Sequence, residues 1–88
     1  MIERVSSLGL DEFRRHLPYA LRGLDHAWVD GHTVEVSDLV TITVEELPPL
    51  ALSAALSLPR IRVSFDFHGG DPVAFMAAYD RAFQRGGG

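Results

Sequence analysis

Eighty-eight residues with no cysteine and a net charge of −4 leave room for one domain, and for no disulfide, thiolate metal site or cysteine nucleophile. All eight basic residues are arginines, scattered from Arg4 to Arg85; without a cationic cluster to displace counterions from phosphates, no nucleic-acid partner is expected. The 47% apolar content is that of a globular protein, and the longest uncharged run, residues 47–59, contains three prolines and is too short to span a bilayer.

The start, Met1-Ile2-Glu3-Arg4-Val5, lacks the basic-then-apolar order of a secretory leader. The expectation is a cytoplasmic protein without a membrane partner, one α+β domain over residues 1–88. Residues 1–7 read as a flexible lead-in or a short edge strand, and residues 86–88 as a flexible tail.

Leu10, Phe13, Leu17, Ala20, Leu21 and Leu24 recur at helical spacing and predict an amphipathic helix. Asp11 and Glu12 suit the positive end of its dipole. Pro18 either kinks it or starts a second segment, because proline lacks the N–H of the next helical bond. Gly23 is the expected stop.

Asp30-Gly31 between two alternating segments predicts a two-residue hairpin turn. That register sets Trp28 opposite Thr33 and His26 opposite Glu35. It turns Ala27, Val29, Val34 and Val36 to the core and Trp28, His26 and Glu35 outward. Val40, Ile42 and Val44 continue the core face if residues 37–39 form a three-residue connection, which places the turn strain at Leu39.

Residues 47–58 look apolar and aperiodic, equally compatible with a short helix after Pro49 and with a crossing loop. Ile61, Val63, Phe65 and Phe67 then alternate with Arg60, Arg62, Ser64 and Asp66, marking the strand the other elements are built against. Asp71-Pro72 is an N-cap and first-turn pair, and Phe75, Met76, Tyr79, Ala82 and Phe83 form the apolar stripe of a last helix. Arg85 suits the C-terminal end of its dipole and Gly86 its stop. The sum is a two-layer sandwich: a mostly antiparallel sheet of about four strands with an N-terminal and a C-terminal helix on one face.

Two surfaces are candidates for function. The outer sheet face brings together Trp28, His26, Glu35, Arg60, Arg62 and His68, aromatic and charged groups of the kind that anchor partners or small ligands. The leucine-rich connection, with Leu50, Leu52, Leu56 and Leu58, carries more apolar side chains than a solvated loop needs and suits a contact with another chain. His26, Glu35 and His68 would be the residues of a small-ligand site or an enzyme, but no metal-ligand spacing is present. Ser64, Asp66 and His68 lie along one strand, too far apart to form a nucleophile, base and orienting group. No catalytic residue, metal or cofactor is therefore assigned.

The ending Arg85-Gly86-Gly87-Gly88 resembles the tails of ubiquitin-like sulfur carriers and modifiers, whose flexible glycines deliver a terminal carboxylate to an adenylating enzyme. That resemblance implies a carrier role, although those families open with a hairpin and end on a strand. The helix–strands–helix order is also similar to that of double-stranded-RNA-binding domains. Here the last helix begins Asp71-Pro72-Val73-Ala74-Phe75-Met76, without the lysines of their phosphate clamp. The leading expectation is a non-catalytic protein-interaction module that binds another protein or its own copy.

Overall fold

The computed structural model describes residues 1–87, with side chains through Phe83. The elements are β1 (Ile2–Ser6), α1 (Leu10–Leu21), β2 (His26–Trp28), β3 (Thr33–Val36), β4 (Val40–Ala51), β5 (Ser57–Phe67) and α2 (Pro72–Gly87). The strands form one antiparallel sheet in the order β1-β5-β4-β3-β2, and both helices pack on the same face. This is the expected two-layer α+β architecture with one strand more. The extra strand is β1: the lead-in is not flexible but pairs along β5 from Ile2↔Phe65 to Ser6↔Ile61.

Alternation decides what is buried. Ile61, Val63 and Phe65 of β5, Val40, Ile42 and Val44 of β4, and Val34 and Val36 of β3 all turn beneath the helices. Phe13, Leu17, Ala20 and Leu21 of α1 and Met76, Tyr79 and Phe83 of α2 meet them from above. Ring contacts run through this core from β5 to the far edge: Phe65 to Tyr79 (centroids 4.7 Å apart), Tyr79 to Phe83 (4.4 Å), Phe83 to Phe13 (5.3 Å) and Phe13 to Trp28 (6.3 Å).

Helix α1 runs unbroken through Pro18, whose side chain lies on the exposed face. It ends where Arg22 and Gly23 take positive φ, 54° and 84°. Helix α2 starts as expected, with the Ala74 N–H donating to the Asp71 carboxylate (3.2 Å) and Pro72 in the first turn. It continues past Gly86, which is therefore not its stop. The Arg85 side chain and Gly88, on which the dipole and carrier readings rest, lie outside what is described.

Two local expectations change. The β2–β3 turn has three residues, Asp30-Gly31-His32, with Val29 N–H donating to Thr33 O (2.9 Å) and Trp28 opposite Val34. The Asp30 carboxylate accepts the His32 N–H at 2.7 Å, and that bond holds Asp30 below the usual carboxylate range. One extra turn residue reverses every side chain of β2. Trp28 moves to the helix side, edge-on to Phe13 and with the Arg14 guanidinium 4.6 Å over its ring, while Ala27 and Val29 face solvent. Burial of the indole overrides the two-residue turn. The β3–β4 connection does span residues 37–39, but the positive φ (47°) falls on Ser37, not Leu39. Leu39 is half-buried and lies over Gly70, where any Cβ would collide with it.

Phe65→Ala should cost about 3–5 kcal/mol in urea denaturation, against about 0.5 kcal/mol or less for the exposed Leu52→Ala. Tyr79 supplies a second test, because its hydroxyl is buried without a hydrogen-bond partner and burial, reinforced by Asp80, pushes it above the ordinary phenol range. The unfolded chain loses this proton near pH ~10 while the folded chain keeps it. Stability is thus full below about pH 10 and falls as pH rises beyond it. Tyr79→Phe should flatten that alkaline fall and leave stability at pH 7 unchanged or up to about 2 kcal/mol higher, as read from urea midpoints at the two pH values.

Candidate functional site

Residues 47–58 form neither a helix nor a crossing loop. Pairing of β3 with β4 ends at Thr33↔Thr43, and pairing of β1 with β5 ends at Ser6↔Ile61. Past those points β4 and β5 continue alone, through Leu47↔Arg60, Leu50↔Leu58 and Ala51↔Ser57, as a two-stranded arm. The arm closes with the Leu52 N–H on Leu56 O (2.9 Å) around Ser53-Ala54-Ala55. It contributes to the elongated 45 × 26 × 22 Å dimensions.

The register sorts the arm's side chains. Cross-strand partners share a face, and faces alternate along each strand. Leu47, Leu50, Leu52, Leu56 and Leu58 consequently all lie on the face that also bears Arg60 and Arg62, opposite the helices. Between Leu47 and Leu50 β4 advances three residues while β5 advances two, so one residue of Pro48-Pro49 is a bulge. Without it, Leu47 and Leu50 would point to opposite sides. Leu50, Leu52 and Leu56 are 43%, 54% and 55% exposed, while Leu47 and Leu58 are half-buried. The reverse face carries the small residues Ala51 and Ser57 together with Pro59.

Prolines also blunt the arm's edges. The Val44 N–H points to His32 O of the β3 side (2.8 Å), so alternation directs position 48 outward on that edge and position 59 outward on the other. Both positions are proline and offer no N–H to an added strand. At the base, Arg62 pairs with Glu45 (2.7 Å) and His32 meets Glu46 (3.2 Å). Arg60 donates from Nε to Pro48 O (3.2 Å) and forms no ion pair among the described residues.

The outer-face set expected from the sequence divides. Glu35, Arg60, Arg62 and His68 are on that side, while Trp28 and His26 are not. His26 pairs with Val36, at the helix-side edge, with Nδ1 3.2 Å from Leu24 O. It therefore cannot join Glu35 and His68 in one site. Thr41 links those two, donating its hydroxyl proton to Glu35 Oε1 (2.9 Å) with His68 Nε2 2.7 Å from the same hydroxyl oxygen. No group of three His, Asp or Glu residues is placed to hold a metal among the described residues, and no described helix is long and apolar enough to cross a membrane.

Clefts of about 430 and 410 Å³ flank Phe83. In the first, Arg4 holds both Asp80 oxygens (2.9 Å each); in the second, His16 Nε2 meets Ala82 O (2.9 Å), and Glu12, Arg15 and Tyr19 also line the cleft. The leucine face of the arm is an exposed apolar surface that packs against no helix. No family model matches the chain, and no curated protein is detectably similar to it.

If the prolines protect the arm's edges, Pro48→Val combined with Pro59→Thr should speed aggregation at high concentration, measured by light scattering, with little change in thermal midpoint. Unchanged scattering would show that the edges need no such protection.

Proposed function

We propose that this chain is a small non-catalytic protein-interaction module that grips its partner with the leucine face of the β4–β5 arm. One observation carries the reading: five leucines from two strands are brought to one face of a projecting arm, away from the core they might have filled. Burying the exposed part of Leu50, Leu52 and Leu56 would contribute on the order of 1 kcal/mol each, enough for a hot spot when the site is fully desolvated. The polar base, with Arg62 and Glu45 already paired, would form the rim of the contact. A ligand site or enzyme built on His26, Glu35 and His68 has less support, since those residues sit on opposite faces of the sheet.

Affinity capture of the tagged protein from its native lysate tests the proposal. The wild type should retain a reproducible protein, and Leu56→Asp should lose it at least tenfold while keeping its thermal midpoint within a few degrees. A partner retained by Leu56→Asp, or cooperative unfolding of that variant, would sink the reading.

A further inference from the structure

We infer that the cleft of about 410 Å³ between α1 and α2 binds a free α-amino acid with an apolar or aromatic side chain. The cleft belongs to the helix layer, on the opposite side of the sheet from the leucine face of the arm, and is a site separate from it. Its lining of Leu8, Glu12, Arg15, His16, Tyr19 and Phe83 takes four polar side chains from one face of α1. Helical spacing sorts those four. Glu12 and His16 are four residues apart and make one row along the helix, while Arg15 and Tyr19 make a second row beside it.

The rows differ in hydrogen-bonding sense. His16 Nε2 lies 2.9 Å from Ala82 O, a carbonyl that only accepts, so Nε2 carries the proton and the neutral ring keeps a lone pair on Nδ1. The ring is also held edge-on to Phe83 (centroids 4.9 Å apart) and beside Tyr19 (5.6 Å). Glu12 and His16 therefore present acceptors, and Arg15 and Tyr19 present donors. Neither Glu12 nor Arg15 takes part in an ion pair among the described residues, so both charges are available.

Neighbouring rows stand about 5–6 Å apart. An α-amino acid carries its ammonium and its carboxylate on one carbon, so the first reaches the acceptor row while the second reaches the donor row. Its side chain then lies against Leu8 and the Phe83 ring, which join the cleft to the core. A plain anion or cation satisfies one row only, and a peptide end carries only one of the two charges. Glu12, Arg15 and Tyr19 are exposed, so each contact is weak and the affinity is on the order of 1 mM.

NMR titration of the isotope-labelled full chain with L-phenylalanine and L-leucine tests the site. Amide signals from Glu12 to Tyr19 and around Phe83 should shift saturably. Phenethylamine, which lacks the carboxylate, and hydrocinnamate, which lacks the ammonium, should each bind roughly fivefold more weakly than L-phenylalanine, or worse. Two variants read the rows separately, with thermal midpoints unchanged because both positions are exposed. Arg15→Gln should weaken L-phenylalanine by a similar factor without weakening phenethylamine, and Glu12→Gln should do so without weakening hydrocinnamate. A flat response to both amino acids overturns the inference. Hydrocinnamate or phenethylamine binding as tightly as L-phenylalanine also overturns it, in favour of a simple acid or amine, as does amino-acid binding that neither variant disturbs.

Discussion

The antiparallel ladder between β4 and β5 is the constraint on which the rest of this molecule depends. It runs from Val40↔Phe67 to Ala51↔Ser57, and its register fixes which side of every residue in both strands faces the helices. In the body, that choice buries Ile61, Val63 and Phe65 and so gives α1 and α2 a surface to pack on. β1 adds to one side of the ladder and β3 to the other, each inheriting its facing from the same register. A single slip would reverse one side of the ladder, β4 with β3 and β2 or β5 with β1, and expose its core residues.

The same register continued into the arm would have scattered the leucines over both faces. The bulge at Pro48-Pro49 prevents this by changing the phase of β4 alone. The body buries the helix-side positions and the arm gathers its apolar residues on the opposite side. Such a reversal within one hairpin gives the core nothing. It is understandable as the making of a surface, which is why the arm and not the outer sheet face carries the functional reading.

Sequence showed most clearly what is set locally. The alternation from Ile61 to Phe67 and the Asp71-Pro72 cap are written in adjacent residues, and both appear in the structure. Asp30-Gly31 was equally clear as a turn, yet its length was set by Phe13 and Arg14, on another element, drawing Trp28 inward. The arm was legible in principle. Leu50-Ala51-Leu52 and Leu56-Ser57-Leu58 alternate symmetrically about Ser53-Ala54-Ala55, a hairpin pattern hidden by the prolines before it. β1 was the least visible, because a short strand with two charges declares itself only through a partner far along the chain. Of the candidate binding residues, Leu50, Leu52, Leu56 and Leu58 share one face as a group, whereas Trp28 and His26 follow the misjudged turn to the other side.

The pairing of the first strand with the last has a kinetic side. A β4–β5 hairpin closes over a handful of residues and can form in microseconds, whereas β1 must wait for β5, most of the chain later, and then lose the entropy of a long loop. Until it docks, the edge of β5 at Ile61, Val63 and Phe65 presents an unpaired apolar strand. The return of the chain's beginning to its end is thus the most non-local pairing of the sheet, and the one whose loop closure costs the most entropy.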